Sequence, residues 1–276
     1  MGDRLTDAAP RPGHYHRLVP ALTPLEYVGI FGAGIFAGTV NTIVGSGSLL
    51  TFPTLLAFGF SPRAANVTNT VGLVPGSISG AFGYRRELLG QRRRITMLAA
   101  SALAGGLTGA VLLLVLPSTS FEKVVPFLVL LACVLVVVQP RLAARVAARN
   151  EARGRHPGHR DPLLDAGVFA TAIYGGYFGA AQGVILIALL AIFVAEPLQR
   201  LNAVKNVLAA LVNGIAALLF AFFAPVAWWA ALAEAAGAII GGQLGATVGR
   251  RLPPTLLRAV IVVAGVGVAV KLFSSW

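Results

Sequence analysis

A series of apolar runs fills the chain from Pro24 almost to its end, and this pattern constrains the fold more than any other feature of the sequence. The runs cover residues 24–45, 47–60, 64–83, 95–116, 122–139, 163–182, 183–195, 201–223, 227–249 and 254–273. Most have about the 20 residues that a helix needs to cross a bilayer. Two of them, 47–60 and 183–195, would reach only about 20 Å as helices, less than the roughly 30 Å of hydrocarbon. We therefore predict an all-α polytopic membrane protein in which these two segments are broken or re-entrant helices.

The composition excludes a soluble globular domain. Hydrophobic residues make up 57% of the 276 residues and charged residues 12%, about half of the roughly 25% that is usual in soluble proteins. The formal net charge of +12 does not indicate nucleic-acid binding, because the basic residues are neither interleaved with aromatic residues nor arranged along helical faces. The sequence therefore predicts the lipid bilayer as the surroundings and no nucleic-acid partner.

The arginines are concentrated in three short connections and predict the orientation of the chain. These connections, residues 85–94, 141–160 and 250–258, hold most of the basic residues. Positively charged loops face the cytoplasm in membrane proteins, so we expect these three on the cytoplasmic side. The connections 117–123 and 224–229 carry little charge and are expected on the opposite side.

The second half of the sequence repeats the first at an offset of 136 residues. The offset aligns Gly47 with Gly183, Asn66 with Asn202, Gly105 with Gly241, Gly109 with Gly245 and Pro117 with Pro253. Each half has five segments, and an odd number inverts the second half relative to the first in the membrane. The arginine clusters agree with this orientation. The pattern predicts two inverted repeats, which are typical of secondary transporters.

This repeat divides the chain into four parts. We expect residues 1–23 to be a disordered lead-in without the features of a signal peptide, and residues 141–162 to be a basic cytoplasmic linker. The first membrane repeat then covers residues 24–140 and the second covers residues 163–276. The linker begins with good helix formers, so part of it is expected to extend the preceding helix.

Each short segment follows a glycine-rich break, and the two breaks fall at equivalent places in the repeat. Paired glycine-interrupted short segments are the best sequence pointer to a transporter binding site. A helix that begins inside the membrane leaves up to four N–H groups unpaired. An anion at that N-terminus satisfies them and meets the positive end of the helix dipole. We therefore predict that the anion binds at Asn41, Gly45, Ser46, Gly47, Ser48, Gln182 and Gly183.

Close helix packing is the alternative explanation for such glycines, because small residues four apart line many contacts between membrane helices. We assign this packing role to Gly105 and Gly109, and to Gly241, Gly245 and Gly249. The hydroxyl groups beside the first short segment are not needed for packing, and they favour a binding site there.

A second polar cluster lies at the start of the third segment of each half. Helical spacing puts Asn69 and Thr70 on one face in the first half, and Lys205 and Asn206 on the equivalent face in the second. A cation buried in a membrane is functional by default, because an unpaired charge there is costly. The alternative for Lys205 is that its side chain extends to the cytoplasmic surface. We predict that these four side chains contribute to the anion site.

Glu234 is the one carboxylate well inside an apolar run. It is a candidate proton-coupling group, and the alternative is that it is paired near the outer interface. A single carboxylate cannot provide two-carboxylate acid–base chemistry, and the sequence shows no Ser/His/Asp set. Cys133 is the single cysteine, and His156 and His159 lack further ligands. We therefore expect no metal site, no cofactor and no enzymatic activity.

Several stretches resemble the TauE/SafE sulfite exporter family. They are Ala37-Gly-Thr-Val-Asn-Thr-Ile-Val-Gly-Ser-Gly-Ser-Leu-Leu-Thr-Phe-Pro, Ala64-Ala-Asn-Val-Thr-Asn-Thr-Val-Gly-Leu-Val-Pro-Gly-Ser, Gly83-Tyr-Arg-Arg-Glu-Leu and Leu201-Asn-Ala-Val-Lys-Asn-Val-Leu-Ala-Ala-Leu-Val-Asn. The resemblance extends from about residue 24 to residue 273. It implies a bacterial inner-membrane permease with about eight membrane helices in two duplicated halves. It also implies transport of sulfite, sulfonates, sulfoacetate, thiosulfate or related organic anions. The second break reads Gly-Ala-Ala-Gln-Gly, which is less glycine-rich than the usual family pattern.

Together with this resemblance, the sequence predicts a secondary transporter for small anions, with sulfite, organosulfonates or related sulfur oxyanions as substrates. The anion would be held at the N-termini of the broken helices during alternating access. A passive anion channel is one alternative. An intramembrane enzyme acting on lipid phosphates is a weaker one, because the membrane segments show neither a nucleophile nor a paired acid and base. The expected partners are the small anion and the bilayer, and a homodimer is compatible with the sequence.

Overall fold

The computed structural model describes residues 19–153, 161–247 and 254–274, and within these ranges the chain forms ten α-helices and no strand. The helices are α1 (Pro24–Ile43), α2 (Ser48–Ala57), α3 (Pro62–Gly83), α4 (Arg92–Val115), α5 (Ser118–Arg153), α6 (Pro162–Tyr177), α7 (Gln182–Phe193), α8 (Leu198–Phe223), α9 (Trp228–Thr247) and α10 (Pro254–Ser274). The all-α prediction is confirmed, and each predicted apolar segment corresponds to one helix. Most of the predicted lead-in, residues 154–160 of the linker with both of its histidines, and the loop 248–253 lie outside the described residues.

Local sequence sets where several of these helices begin. A proline stands in the first turn of α1, α3 and α6, where its missing N–H costs nothing and its fixed φ angle suits a helix. Thr23 and Glu26 form a capping box at the start of α1, in which the Thr23 N–H donates to the Glu26 carboxylate at 2.7 Å. The side chains of Ser61 and Asp161 accept hydrogen bonds from the first turns of α3 and α6 in the same way.

The helix positions follow the offset of the sequence repeat. The starts of α3, α4 and α5, at residues 62, 92 and 118, are followed 136 residues later by those of α8, α9 and α10, at residues 198, 228 and 254. Equivalent helices of the two halves also have equivalent packing partners. α9 packs against α1 and α3, and its counterpart α4 packs against α6 and α8. The last helices of the two halves, α5 and α10, pack against each other.

Glycine contacts show the direction of several helix pairs. The contacts are Gly72–Glu234, Gly76–Ala238 and Gly83–Ala246 for α3 with α9, Gly34–Glu234 and Gly38–Ala238 for α1 with α9, and Gly105–Ala172 and Gly109–Tyr177 for α4 with α6. Because both residue numbers increase together, the helices of each pair run parallel. The packing role predicted for Gly105, Gly109, Gly241 and Gly245 is confirmed, since a β carbon at each would overlap the neighbouring helix backbone. Gly249 lies outside the described residues.

α3 and α8, the long third helices of the two halves, run antiparallel. Tyr84, just after α3, clusters with Ala203 near the start of α8. At the other end, the Ala227 N–H, just after α8, donates to the Thr68 hydroxyl near the start of α3, at 3.1 Å. The start of each helix therefore lies beside the end of the other.

The two short helices fold back along the helices that precede them. For the first half, Gly47 at the start of α2 lies against Ala37 and Asn41 of α1, and Phe58 after its end lies against Gly29. For the second half, Gln182 and Leu189 of α7 lie against Gly175 and Gly167 of α6. In each pair one residue number rises while the other falls, so each short helix forms an antiparallel hairpin with the helix before it, as a re-entrant segment would. The length of α2, 10 residues or about 15 Å, agrees with this.

Three described stretches are long and apolar enough to cross a membrane by length and composition: Arg92–Val115, Ser118–Arg141 and Leu198–Phe223. The surface of the described helices carries many exposed apolar side chains, including Val115, Phe222 and Phe223. A large apolar surface is unfavourable in water and suits contact with lipid tails. The fold therefore has the exterior of a multi-pass membrane protein.

The hairpins predict which loops share a side of the membrane. If the α1–α2 hairpin returns to its starting side and α3 and α4 each cross the membrane once, Ala21 and Thr119 should lie on one side and Leu89 on the other. Single cysteines at these positions, in a Cys133→Ser background, are tested with a membrane-impermeant maleimide in sealed vesicles of known orientation. We expect Ala21→Cys and Thr119→Cys to react from one face and Leu89→Cys from the opposite face. Reaction of Ala21→Cys and Leu89→Cys from the same face would contradict the hairpin.

Candidate functional site: the crossing of the two glycine breaks

The two glycine breaks touch each other inside the protein. The Gly183 N–H donates to the Gly45 carbonyl oxygen at 3.1 Å. A β carbon on Gly183 would lie 2.6 Å from the Gly45 Cα, so there is no room for a side chain at this contact. Gly45 also has φ = +91°, a conformation that favours glycine. The breaks that the sequence predicts as paired elements are thus in direct backbone contact, and we call this place the crossing.

Each break carries one buried polar side chain without a partner. Ser46 is 1% exposed and Gln182 is 2% exposed. The Ser46 hydroxyl oxygen and both amide atoms of Gln182 form no hydrogen bond within the described part of the chain. These two residues are equivalent at the 136-residue offset. A buried polar group without a partner costs about 1–3 kcal/mol, so two of them at equivalent places make this a candidate binding site.

The two breaks differ in how their N–H groups are used. In α7 the N–H groups of Gly183, Val184 and Ile185 all have carbonyl partners. In the first break, the N–H groups of Ser46 and Gly47 have no carbonyl partner among the described residues. The unpaired donors that we expect at both helix N-termini are therefore found at α2 in this conformation. At α7 the protein itself satisfies them, partly through the crossing.

The second break keeps the same turn without the same glycine. Ala181, which corresponds to Gly45 in the repeat, has φ = +59°. A residue with a β carbon in this left-handed region carries about 1–3 kcal/mol of strain, and such strain is concentrated at functional sites. The second break therefore keeps the left-handed turn of the backbone although its sequence has fewer glycines.

Lys205 is fully buried at the C-terminal end of α1. Its ammonium group donates to the carbonyl oxygens of Asn41 and Thr42 at 2.9 Å and 3.2 Å, and the residue is 0% exposed. The last turn of a helix leaves carbonyl groups unpaired and carries the negative end of the dipole, so a cation is stabilised there. The alternative that Lys205 extends to the surface is wrong, because its charge is held at the turn of the first hairpin.

Asparagines on the third helix of each half bind the end of the first helix of the other half. Asn202 and Asn206 of α8 both donate to the Thr42 carbonyl oxygen, at 3.0 Å and 3.3 Å. Asn66 of α3 donates to the carbonyl oxygen of Tyr177, the last residue of α6, at 3.0 Å. Asn66 and Asn202 are equivalent in the repeat. Each half therefore holds the hairpin of the other half in place.

Asn69 and Thr70 lie apart from Lys205. The Asn69 side-chain oxygen accepts a hydrogen bond from the hydroxyl of Thr51 on α2, and the Thr70 hydroxyl donates back to its own helix at Asn66 O, 2.9 Å away. Since α3 and α8 are antiparallel, the polar turns at their starts lie at opposite ends of their contact. The four side chains that we expect to act together thus form two separate sets.

The other predicted site residues belong to the first hairpin. The Asn41 amide donates to the Ser77 hydroxyl at 3.2 Å, so it links α1 to α3. Gly47 is the residue before α2, and Ser48, which is 8% exposed, is its first residue. Thr42 and Thr51 are not among the site residues that the sequence predicts. The contribution of Thr42 is a backbone carbonyl, which no side-chain pattern reveals, whereas a hydroxyl at position 51 inside a short apolar helix is a visible signal.

Glu234 is buried in the first half of α9 and unpaired. It is 0% exposed, and neither carboxyl oxygen has a hydrogen-bond partner among the residues that the structure describes. The Thr51 hydroxyl lies near the Glu234 carboxyl group, but it donates its hydrogen bond to the side-chain oxygen of Asn69. The alternative that Glu234 is paired near the outer interface is therefore wrong.

The family of the chain can be recognised from its whole length. The family described as "Sulfite exporter TauE/SafE" matches residues 30–272, which include both hairpins, the crossing and both polar third helices. The chain belongs to the TauE/SafE family. It is therefore a membrane transporter of that family, and the resemblance in the sequence is confirmed.

Relatives of this TauE/SafE chain are named as transporters. It is 26% identical over 255 residues to the "Probable membrane transporter protein YfcA" of Escherichia coli (strain K12), covering 91% of each chain. It is 26% identical over 234 residues to a "Probable membrane transporter protein" of Haemophilus influenzae, covering 85% of this chain and 89% of the relative. It is 23% identical over 246 residues to the "Probable membrane transporter protein ORF9" of Sinorhizobium sp, covering 89% and 91%. No solved structure matches the chain.

The close contact at the crossing predicts the effect of one methyl group. In Gly183→Ala the new β carbon would overlap the Gly45 backbone, and such overpacking costs about 1–3 kcal/mol. We expect a lower thermal unfolding midpoint for the purified protein in detergent. Gly214→Ala in α8 is the matched control, because a β carbon there would meet no neighbouring group within 4 Å. Equal midpoints for the two variants would show that the breaks do not touch.

Proposed function

We propose that the chain is a secondary transporter that moves small anions, namely sulfite, organosulfonates or related sulfur oxyanions, across the bacterial inner membrane by alternating access. One observation carries this proposal. Two re-entrant turns from the two halves meet at Gly45 and Gly183, and each brings a buried, unpartnered polar side chain to this place.

The chemistry around the crossing suits an anion. The first break offers the unpaired N–H groups of Ser46 and Gly47 and the Ser46 hydroxyl, and the second offers the amide of Gln182. Lys205 places a positive charge at the end of the same hairpin turn. Donors fixed by the fold and a nearby cation favour a small oxyanion, since each of its oxygens accepts hydrogen bonds.

The proposed mechanism uses two inverted repeats. The antiparallel arrangement of α3 and α8, the exchange-symmetric packing and the constant offset of the helix starts support this architecture. The two hairpins would then enter from opposite sides of the membrane and meet near its middle. Small movements of one half against the other would open the crossing to one side at a time. The set around Lys205 would face one opening and the set around Asn69 the other.

Polar contacts join the two halves near the start of α8. Glu196, just before α8, accepts a hydrogen bond from Arg200 at 2.8 Å and lies 3.5 Å from Arg94 at the start of α4. The Gln91 amide donates to the Arg200 carbonyl oxygen at 3.0 Å. These residues adjoin the arginine-rich loop 85–94, so in this proposal they close the cytoplasmic entrance.

The passive channel and the lipid-phosphate enzyme fit the structure less well. A channel needs a continuous path in its conducting state, whereas Ser46, Gln182 and Lys205 are almost fully buried. An enzyme needs a nucleophile or a paired acid and base, whereas Lys205 and Glu234 are held by different helices and form no ion pair in the described part of the chain. The homodimer stays a prediction.

Transport is tested with the purified protein in liposomes. We expect radiolabelled sulfite, thiosulfate, sulfoacetate or 2-hydroxyethanesulfonate to exchange with the same unlabelled anion inside the vesicles, at a rate that saturates with concentration. Protein-free liposomes are the control. The proposal fails if none of these sulfur anions and no small carboxylate moves, and a rate that does not saturate would indicate a channel.

Replacement of Lys205 is expected to lower the affinity for the transported anion. Lys205→Ala removes a cation whose hydrogen bonds to an anion are worth about 1.5–3 kcal/mol, so the half-saturating concentration should rise about 10- to 100-fold. The thermal unfolding midpoint is measured in parallel, since Asn202 and Asn206 still hold Thr42 in this variant. Lys123→Ala, at an exposed lysine, is the matched control. An unchanged half-saturating concentration would remove Lys205 from the site.

A further inference from the structure

Glu234 occupies a space that a glycine leaves for it. A β carbon on Gly72 of α3 would lie 2.9 Å from the Cβ, Cδ and Oε2 atoms of Glu234. The backbone of Glu234 packs against Gly34 of α1. Two glycines on two helices therefore allow this side chain to lie inside the helix bundle, and a larger residue at position 72 would displace the carboxyl group.

The equivalent position in the other half shows that packing alone does not need a carboxyl group. Leu98, 136 residues before Glu234, is 3% exposed and belongs to an apolar cluster with Ala102 and Leu164. Leucine gives favourable burial at this place in the fold. A glutamate there loses this gain and also leaves two buried oxygens without partners. A role beyond stability explains its presence.

The surroundings of the Glu234 carboxyl contain no counter-charge in the described part of the chain. α9 itself has no other charged residue, and α2 offers the hydroxyl of Thr51. α1 carries Glu26 and Tyr27 near its start, where Tyr27 lines a surface depression of about 590 Å³ with Trp229, Leu232 and Ala233. α3 carries Arg63, whose guanidinium group donates to the Leu114 carbonyl oxygen at 2.9 Å. None of these groups is hydrogen-bonded to Glu234.

This setting admits only one protonation state while the site is closed. An ionised carboxylate without a partner inside a membrane costs several kcal/mol, so the neutral acid is the form compatible with this site. When a conformational change admits water, the O–H bond can break and the proton passes to water on the open side. The reverse step on the other side forms the O–H bond again.

Thr51 connects this event to the crossing. Thr51 lies on α2, one turn after Ser48, and its hydroxyl donates to Asn69. An ionised carboxylate is a stronger acceptor than an amide oxygen, so the hydroxyl would turn from Asn69 to Glu234. Loss of the proton would thus change the hydrogen bonding of the helix that begins at the first break.

We propose that Glu234 carries a proton across the membrane in the same cycle that moves the anion, so that the transporter is a proton–anion symporter. This proposal rests on the proposed function. For each anion that enters, one proton from the outer water forms the O–H bond at Glu234, and that bond breaks toward the inner water. Because the proton carries one positive charge in the same direction, the symport moves one net negative charge fewer across the membrane than transport of the anion alone.

The test uses 2-hydroxyethanesulfonate, because a strong acid remains an anion at neutral pH and cannot itself carry a proton. Wild-type proteoliposomes contain a pH-sensitive dye, and uptake of the labelled sulfonate is measured with and without an outer pH one unit below the inner pH. The counterflow rate without a gradient is measured in the same preparation. We expect the pH gradient to raise uptake about 10-fold and the sulfonate to acidify the lumen.

The variants are compared by the ratio of gradient-driven uptake to counterflow, which corrects for the amount of folded protein. Glu234→Gln keeps the size and shape of the side chain but cannot release a proton, and its ratio should fall at least 10-fold. Leu98→Met, at the equivalent place in the other half, should keep the wild-type ratio. A wild-type ratio in Glu234→Gln would overturn the proposal.

The outcomes separate this proposal from the proposed function. If wild-type protein exchanges the sulfonate but a pH gradient neither drives uptake nor acidifies the lumen, transport stands and the proton role fails. Acceleration by a sodium gradient instead of a pH gradient would also overturn the proton role. If none of the sulfur anions exchanges, the proposed function fails, and the symport fails with it.

A second measurement does not depend on a folded variant. Dicyclohexylcarbodiimide reacts with protonated carboxyl groups in apolar surroundings, and the modified peptide is identified by mass spectrometry. We expect the wild-type protein to be modified at Glu234 and to lose gradient-driven uptake in proportion. A Glu234 that stays unmodified while uptake is lost would overturn the proposal.

Discussion

The rest of the structure depends on the backbone contact between Gly45 and Gly183. A chain that turns back inside a membrane must pair its exposed N–H and C=O groups, since lipid offers no hydrogen bonds. Here each half supplies what the other lacks. α8 binds the end of α1 through Lys205 and two asparagines, and α3 binds the end of α6 through Asn66. Each hairpin is therefore held in part by hydrogen bonds from the other half, and in the proposed function the anion bound between the hairpins would contact both halves.

Much of the fold could be predicted from the sequence, because bilayer thickness and backbone hydrogen bonding allow few solutions. Apolar runs of about 20 residues predict the long helices, and two runs that are too short to cross the bilayer predict the broken or re-entrant segments. The constant offset makes Ser46 and Gln182 equivalent, and in the structure both lack a hydrogen-bond partner among the described residues. Glycines four residues apart also indicated contact faces correctly, because only small residues allow such close helix packing.

The arrangement of the site residues could not be predicted in the same way. Helical spacing places Asn69 beside Thr70 and Lys205 beside Asn206, but it does not show that antiparallel packing of α3 and α8 separates the two pairs. The partner of Lys205 is a pair of backbone carbonyls, which every residue possesses and no sequence pattern marks. Glu234 is a similar case. Its position in an apolar run was visible, whereas the space left by Gly72 depends on the packing of α3 against α9.

In the proposed function an anion binds where the two breaks cross. The most direct measurement is the anomalous scattering of selenium in crystals of transport-active protein grown with selenite, a close analogue of sulfite. We expect a selenite peak at the crossing, with its oxygens within about 3.2 Å of the Ser46 hydroxyl and the Gln182 amide. Selenium peaks confined to the exposed arginine loops, with the crossing unchanged in a protein that transports selenite, would contradict it.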